Sequence, residues 1–151
     1  MRLLSLLTVA CLATSAVPPP DADGRFRDWF HSLRVPGSST PCCTVADCRM
    51  VASRWNVLTQ HYEASVIREV FSNALRASPL YEQDTAAFRV AQRIWLDRWN
   101  AAYGDVPEIW IEIPEARVNP ASNPTGRAVL CWSTFYPDFN GVFCFIPYQG
   151  A

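Results

Sequence analysis

The first regular hydrophobic pattern in the chain lies in the segment DGRFRDWFHSLR, residues 23–34. Asp23 suits a helix N-cap, and Pro36-Gly37 ends the pattern. Apolar residues at positions i, i+3, i+4 and i+7 share one face of a helix. That face holds Phe26, Trp29, Phe30 and Leu33. The pattern predicts an amphipathic helix that leads into the domain.

Apolar and polar residues then alternate imperfectly in two segments, at 49–58 and 61–67. Alternation with a period of two is typical of strands with one buried face, so both segments are predicted as strands. A second interpretation stays open, because the apolar residues of 60–77 also fit one face of a single helix. We favour a strand followed by a short helix or turn.

The clearest helical pattern covers residues 85–103. Asp84 can cap this helix, and Gly104 stands where a left-handed C-cap belongs. Trp99 and Tyr103 widen its apolar face. We interpret the aromatic stripe as core packing. The predicted core face consists of Ala87, Val90, Ala91, Ile94, Trp95 and Ala102.

The segment IWIEIP, residues 109–114, alternates and is predicted as a strand. One face of this strand holds Ile109, Ile111 and Ile113, and the other holds Trp110 and Glu112. The following NPASNPTGR segment has turn chemistry throughout, because Asn-Pro steps favour turns and Gly126 permits a positive φ.

The final pattern predicts a hairpin over residues 127–147, formed by AVLCWSTF and VFCFIPY around YPDFNG. With a type I turn at 136–139, Cys131 falls directly opposite Cys144. A slip of one residue would move the two cysteines to opposite faces. The sequence leaves this register open.

Together these elements predict an α+β fold with a small, antiparallel, SH3-like β-barrel of about five strands. One helix precedes the barrel. A helical segment at 68–108 is inserted between its second and third strands. We expect a single disulfide-stabilised domain over residues 24–151, a length at which a chain can build a core of its own.

The N-terminus predicts export. Residues 1–16 carry one arginine, an apolar run and a small-residue cleavage site, which is the pattern of a secretory signal peptide. A Pro-rich linker follows at 17–23. The protein is therefore expected in the periplasm or outside the cell. Lipidation at Cys11 is less favoured, because Thr8 is a poor residue for a lipobox. No later segment has the apolar length of a transmembrane span.

Charge adds little to this picture. Thirteen basic residues, all of them arginine, oppose fourteen acidic ones. The arginines are scattered rather than clustered, so nucleic-acid binding is not expected.

Five cysteines follow the signal segment: Cys42, Cys43, Cys48, Cys131 and Cys144. An oxidising compartment makes disulfides the default, and an odd number leaves one sulfur outside them. Adjacent cysteines are poor partners for each other. We expect one cysteine of the PCCTVADC cluster to pair with a strand cysteine, and the connectivity stays open. A disulfide that closes a loop of roughly 90–100 residues would contribute about 4–5 kcal/mol to the free energy of unfolding in the chain-entropy model.

Metal and redox sites fit this sequence less well. The cysteine spacing lacks the paired C-x-x-C of structural zinc sites and of thiol oxidoreductases, and only His31 and His61 could help. The common hydrolase and phosphate-loop motifs do not occur in the sequence. We therefore predict no catalytic residue, no metal and no cofactor.

Several motifs together resemble a family of small, uncharacterised exported proteins of Gram-negative bacteria. They are the W-F-x-S-L-R-x-P-G helix end at 29–37, the cluster CC-x4-C-R at 42–49, NPTGR-A-V-x-C-W at 123–132, and the C-F-x-P that follows. The resemblance implies a small exported domain that carries cysteines, and it assigns no catalytic residue. Residues 68–108 look like an insertion relative to shorter members.

The sequence thus predicts a non-enzymatic structural or binding domain of the bacterial envelope. Its partner, which is unknown, would be a protein, a peptide or a glycan. The alternative is a thiol-redox or metal-handling periplasmic protein that uses Cys42, Cys43 and Cys48. The residues predicted to bind a partner are Asp47, Arg49, Asn123, Arg127 and Trp132.

Overall fold

A computed structural model describes residues 23–45, 47–74, 85–132 and 141–148. Several predictions lie outside these residues. They are the signal peptide, Cys11, most of the Pro-rich linker, the cap at Asp84 and the turn at 136–139.

The N-terminal helix is confirmed. Asp23 caps a 3-10 turn at Gly24–Phe26 by accepting a hydrogen bond from the backbone N of Arg25 at 2.9 Å. Helix α1, Arg27–Ser32, follows directly. Phe30 and Leu33 are buried as predicted. The helix ends at Ser32, before the expected Pro36-Gly37.

The next segment holds a short helix and three strands. Helix α2 is Cys42–Val45, and strands β1, β2 and β3 are Asp47–Val51, Ser53–Asn56 and His61–Ile67. The predicted strand at 49–58 is therefore divided at Ala52. Helix α3, Arg68–Ala74, follows β3 directly. The alternative of one helix over 60–77 is wrong, and a strand followed by a short helix is confirmed.

Helix α4, Thr85–Tyr103, is where predicted, but its buried face is different. Val90 is 60% exposed and Ile94 is 48% exposed, so neither belongs to the core. Trp95 and Trp99 are buried as predicted, and Phe88, which was not on the predicted face, is buried with them. The helix is rotated from its predicted orientation because burying three large rings removes more apolar surface from water.

The remaining strands are β4, Glu108–Glu112, β5, Ala128–Trp132, and β6, Val142–Ile146. The predicted face of β4 is confirmed, since Ile113 is buried and Ile109 and Ile111 pack against the core. The register of the hairpin is also resolved. Cys131 lies opposite Cys144, with an irregularity between Cys131 and Trp132.

The six described strands form two antiparallel sheets of three strands, in the orders β1-β5-β6 and β2-β3-β4. The chain passes from one sheet to the other at Ala52, whose carbonyl accepts a hydrogen bond from Ser65 N at 2.9 Å. In the segment after β4, Val118 forms an isolated parallel bridge with Phe145 of β6. The second sheet and the segment that follows it thus contact the first sheet, but the described strands form no closed barrel. The α+β class is confirmed, and the SH3-like barrel is not.

Both faces of the β1-β5-β6 sheet are covered, so every residue of β5 is buried. One face, with Leu130 and Trp132, joins the core formed by the second sheet, α3 and α4. The other face, with Val129 and Cys131, packs against α1 and its following loop. None of the helices in the described ranges is both long and apolar enough to cross a membrane.

The C-cap of α4 gives a test of this fold. Gly104 has φ +75°, its N donates to the carbonyl of Asn100 at 2.9 Å, and an added Cβ would meet nothing within 4 Å. Gly104→Ala is therefore expected to lower the free energy of unfolding by about 1 kcal/mol through backbone strain alone. Urea denaturation measures this loss.

Gly24→Ala is the matched control, because Gly24 also has open space around it but lacks a positive φ. It is expected to change the free energy of unfolding by less than about 0.5 kcal/mol. Equal losses in the two variants would contradict the left-handed C-cap.

Candidate functional site

Three cysteines form a row across the β1-β5-β6 sheet. Cys48 pairs in register with Cys131, and Cys131 pairs in register with Cys144. Residues directly opposite each other in a sheet share a face. The three sulfurs therefore lie on the sheet face that α1 covers, and all three residues are buried.

Helix α2 supplies the other two cysteines. Cys42 forms a disulfide with Cys144 across 102 residues, with an S–S distance of 1.97 Å. Cys48 forms a disulfide with Cys131 across 83 residues, with an S–S distance of 2.04 Å. The prediction that one cysteine of the cluster pairs with a strand cysteine is confirmed, and the structure has two such bonds rather than one.

Cys43 belongs to neither disulfide. It is half-buried, and its Sγ lies 2.8 Å from Cys48 Sγ and 3.8 Å from the carbonyl oxygen of Phe30. The sulfurs of Cys43, Cys48 and Cys131 all lie within 4.8 Å of one another. The sequence grouped Cys42 with Cys43 and Cys48, but the structure places Cys131 in that group because Cys42 is bonded to Cys144.

Two of the predicted binding residues lie in the interior. Trp132 is fully buried and packs edge-on against Phe71, with ring centroids 5.1 Å apart. Arg49 is 5% exposed and donates from Nη1 to the carbonyl of Cys48 at 2.7 Å. Neither side chain presents a surface to a partner. Asp47 begins β1 opposite Trp132, and its side chain lies outside the described part.

Asn123 holds the loop before β5 together. Its Nδ2 donates to the carbonyls of Arg127 at 2.9 Å and Ile146 at 3.2 Å, and its Oδ1 accepts from Thr125 N at 3.0 Å. Gly126 has the expected positive φ, +79°. These contacts explain Asn123 as a structural residue. Arg127 is exposed, and its binding role stays a prediction.

The β2-β3-β4 sheet has a solvent-facing side that the sequence did not single out as a site. We call it the outer face. Trp110 of β4 is 39% exposed on this face, and the guanidinium carbon of Arg54 lies 4.3 Å from the centroid of its indole. This stacking joins the two edge strands of the sheet across β3. The outer face consists of Arg54, Asn56, His61, Glu63, Ser65, Ile67, Glu108, Trp110 and Glu112.

The outer face carries excess negative charge. Glu63 accepts hydrogen bonds from Asn56 Nδ2 at 2.8 Å and Arg54 Nε at 2.5 Å. The hydrogen bond from Asn56 has the larger effect and that from Arg54 the smaller, and together they hold the pKa of Glu63 below its usual range. The carboxylate is therefore ionised at neutral pH. Glu108 accepts from Ser65 Oγ at 2.5 Å, and the side chain of Glu112, 56% exposed, has an oxygen 3.7 Å from His61 Nδ1. The outer face thus holds three glutamates and one arginine, Arg54.

Comparison of the chain with protein-family models, with curated proteins and with solved structures finds no match.

The two disulfides give a second test, because their loops are nested. Once Cys48–Cys131 is formed, the loop that Cys42–Cys144 still closes is reduced to roughly 20 residues in the chain-entropy model. The double variant Cys42→Ala/Cys144→Ala is therefore expected to lose about 3 kcal/mol of unfolding free energy rather than the 4–5 kcal/mol of an isolated bond. Urea denaturation of the two oxidised proteins measures the difference.

Cys43→Ala is the control, because it removes a cysteine sulfur without opening either disulfide. This variant is expected to lose about 1 kcal/mol of unfolding free energy or less, because the Cys43 side chain is only half-buried. A double variant no less stable than this control would contradict the nested arrangement.

Proposed function

We propose that the chain is an exported, non-enzymatic binding domain of the bacterial envelope, and that its outer face binds a basic segment of another envelope protein or peptide. The observation that carries this proposal is the exposed Trp110, stacked with Arg54 among three glutamates. Trp and Arg are the residues that most often dominate binding energy at interfaces.

The charge of the outer face favours a basic partner. Glu63 is already paired with Arg54, so a partner would meet mainly Glu108 and Glu112. Complementary charge speeds association and fixes the register of a bound segment. The ring of Trp110 offers apolar area beside these carboxylates, onto which the alkyl part of an arginine or lysine can pack.

Export is part of the same proposal. The signal-peptide pattern of residues 1–16 and two buried disulfides both support an oxidising compartment. The motif resemblance to exported Gram-negative proteins supports it too. An SH3-like barrel remains a proposal, supported by the passage of the chain between the sheets at Ala52 and by the Val118–Phe145 bridge after β4.

A peptide selection tests the outer face. Random peptides bound to the immobilised, oxidised domain are expected to be enriched in arginine and lysine, and binding should weaken as salt rises. Trp110→Ala is expected to raise the Kd of a selected peptide at least about tenfold, since it removes the exposed ring of the outer face. Fluorescence anisotropy with labelled peptide measures the Kd.

Ile94→Ala is the matched control, because Ile94 is also large, apolar and exposed but lies on α4. It should leave the Kd unchanged. Selected peptides without basic residues, or equal effects of the two substitutions, would argue against this face. Salt-independent binding of soluble wall glycan would assign it to a glycan instead and overturn the proposed partner.

A thiol-redox or metal-handling protein is the second candidate, and the group formed by Cys43, Cys48 and Cys131 favours it. Three thiolates suit soft metal ions, but only after the Cys48–Cys131 disulfide has been reduced. Mass spectrometry of the non-reduced protein from the envelope discriminates the candidates. Three or more thiols or a bound metal would support a protein that works with the Cys48–Cys131 pair reduced, and two intact disulfides without metal would contradict that form of the candidate.

A further inference from the structure

A half-buried thiol lies against a disulfide that solvent cannot reach. Cys48 is 1% exposed and Cys131 is 0% exposed, so a thiol in solution has no direct path to their bond. Cys43 is only half-buried, and its Sγ lies 2.8 Å from Cys48 Sγ. Access is one of the conditions that limit thiol–disulfide exchange. Cys43 therefore connects the buried bond with the surface.

We propose that Cys43 is a nucleophile that makes the Cys48–Cys131 disulfide exchangeable with external thiols. The site would react with small thiols and with accessible cysteines of other exported proteins. This inference goes beyond a binding function and uses no residue of the outer face, so each can fail without the other.

The first step is internal. The thiolate of Cys43 attacks Cys48 Sγ, a Cys43–Cys48 bond forms, and the Cys48–Cys131 bond breaks. The electron pair of the broken bond goes to Cys131 Sγ, which takes up a proton. The number of disulfides and thiols is unchanged, so this step needs no oxidant or reductant.

The second step brings in the external thiol. Its thiolate attacks Cys43 Sγ, forms a mixed disulfide there and releases Cys48 as a thiol. A second external thiol attacks the mixed disulfide, restores Cys43 and leaves as the oxidised dimer. Two external thiols are oxidised, and the Cys48–Cys131 disulfide is reduced to two thiols.

The fold makes the internal step reversible. Cys48 and Cys131 stay opposite each other in the β1-β5 ladder whether or not they are bonded. The displaced Cys131 thiol therefore remains beside the sulfur it left. Holding reacting groups together in this way raises the rate of both directions.

The Cys42–Cys144 disulfide provides an internal reference. Both of its cysteines are 0% exposed, like those of the exchangeable bond. Attack by Cys43 on Cys42 would create a disulfide between adjacent residues, which distorts the peptide that joins them. The group of sulfurs within 4.8 Å of one another that includes Cys43 contains Cys48 and Cys131 but not Cys144. Cys43 is therefore expected to act on Cys48–Cys131 in preference to Cys42–Cys144.

Reduction of the native protein by dilute dithiothreitol near pH 8 tests the proposal. Samples are quenched in acid, alkylated and mapped by mass spectrometry. Cys48–Cys131 is expected to be reduced at least about tenfold faster in the wild-type chain than in Cys43→Ser, because an internal nucleophile has a high effective concentration. Early wild-type samples should contain a Cys43–Cys48 peptide together with alkylated Cys131.

The rate for Cys42–Cys144 should agree within about twofold in the two proteins, since the substitution removes no nucleophile that acts on that bond. Equal rates for Cys48–Cys131, or early samples without the Cys43–Cys48 peptide, would overturn the proposal. If Cys43→Ser does not fold, wild-type protein alkylated at Cys43 in its native state takes its place. Reduction of that protein as fast as the untreated chain would also overturn it.

Discussion

The register of the β1-β5-β6 sheet is the constraint on which the rest of the structure depends. It aligns Cys48, Cys131 and Cys144 on one sheet face, where both disulfides form. Because side chains alternate along a strand, a slip of one residue between β5 and β6 would turn Cys144 away from Cys42. The attachment of α2, and of α1 before it, is thus determined by backbone pairing elsewhere in the chain.

The same sheet builds the main core on its opposite face. Trp132 projects from β5 toward Phe71 of α3 and Trp95 of α4, at centroid distances of 5.1 Å and 6.4 Å. Trp99 fixes the end of α4 by donating from Nε1 to the carbonyl of Val106 at 2.9 Å. One strand therefore carries the sulfur layer on one side and the aromatic layer on the other. This explains why β5 is apolar at consecutive positions rather than at alternate ones.

Hydrophobic periodicity located nearly every helix and strand, but it did not show which surface each one covers. In α4 apolar residues lie on more than one side, and only the packing of Trp95 against Trp132 and the rest of the core shows that Phe88 is buried while Val90 is exposed. Trp132 was predicted to bind a partner because the sequence does not reveal that both faces of its strand are covered. The division at Ala52 was missed for a similar reason, since one apolar pattern runs through two sheets.

The outer face depends on pairings that no local pattern contains. Arg54 and Trp110 meet across β3, so their contact requires both the β2-β3 and the β3-β4 registers. The sequence did place Trp110 and Glu112 together on one side of β4, opposite the isoleucines. It also predicted a strand containing Arg54, but it did not give the pairing of that strand with β3, which brings the arginine to Trp110 and Glu63.

The doubled cysteine follows from the geometry of helix and sheet. Successive residues of a helix point about 100° apart, so neighbours on α2 reach different strands. Cys42 reaches Cys144 on β6, whereas Cys43 comes to lie beside Cys48 on β1. Three sulfurs on the sheet and two on the helix can form at most two disulfides. The sulfur outside the two disulfides is that of Cys43, which is half-buried, whereas the other four cysteines are buried. The cysteine that neither disulfide uses is therefore also the one that a reactant can reach.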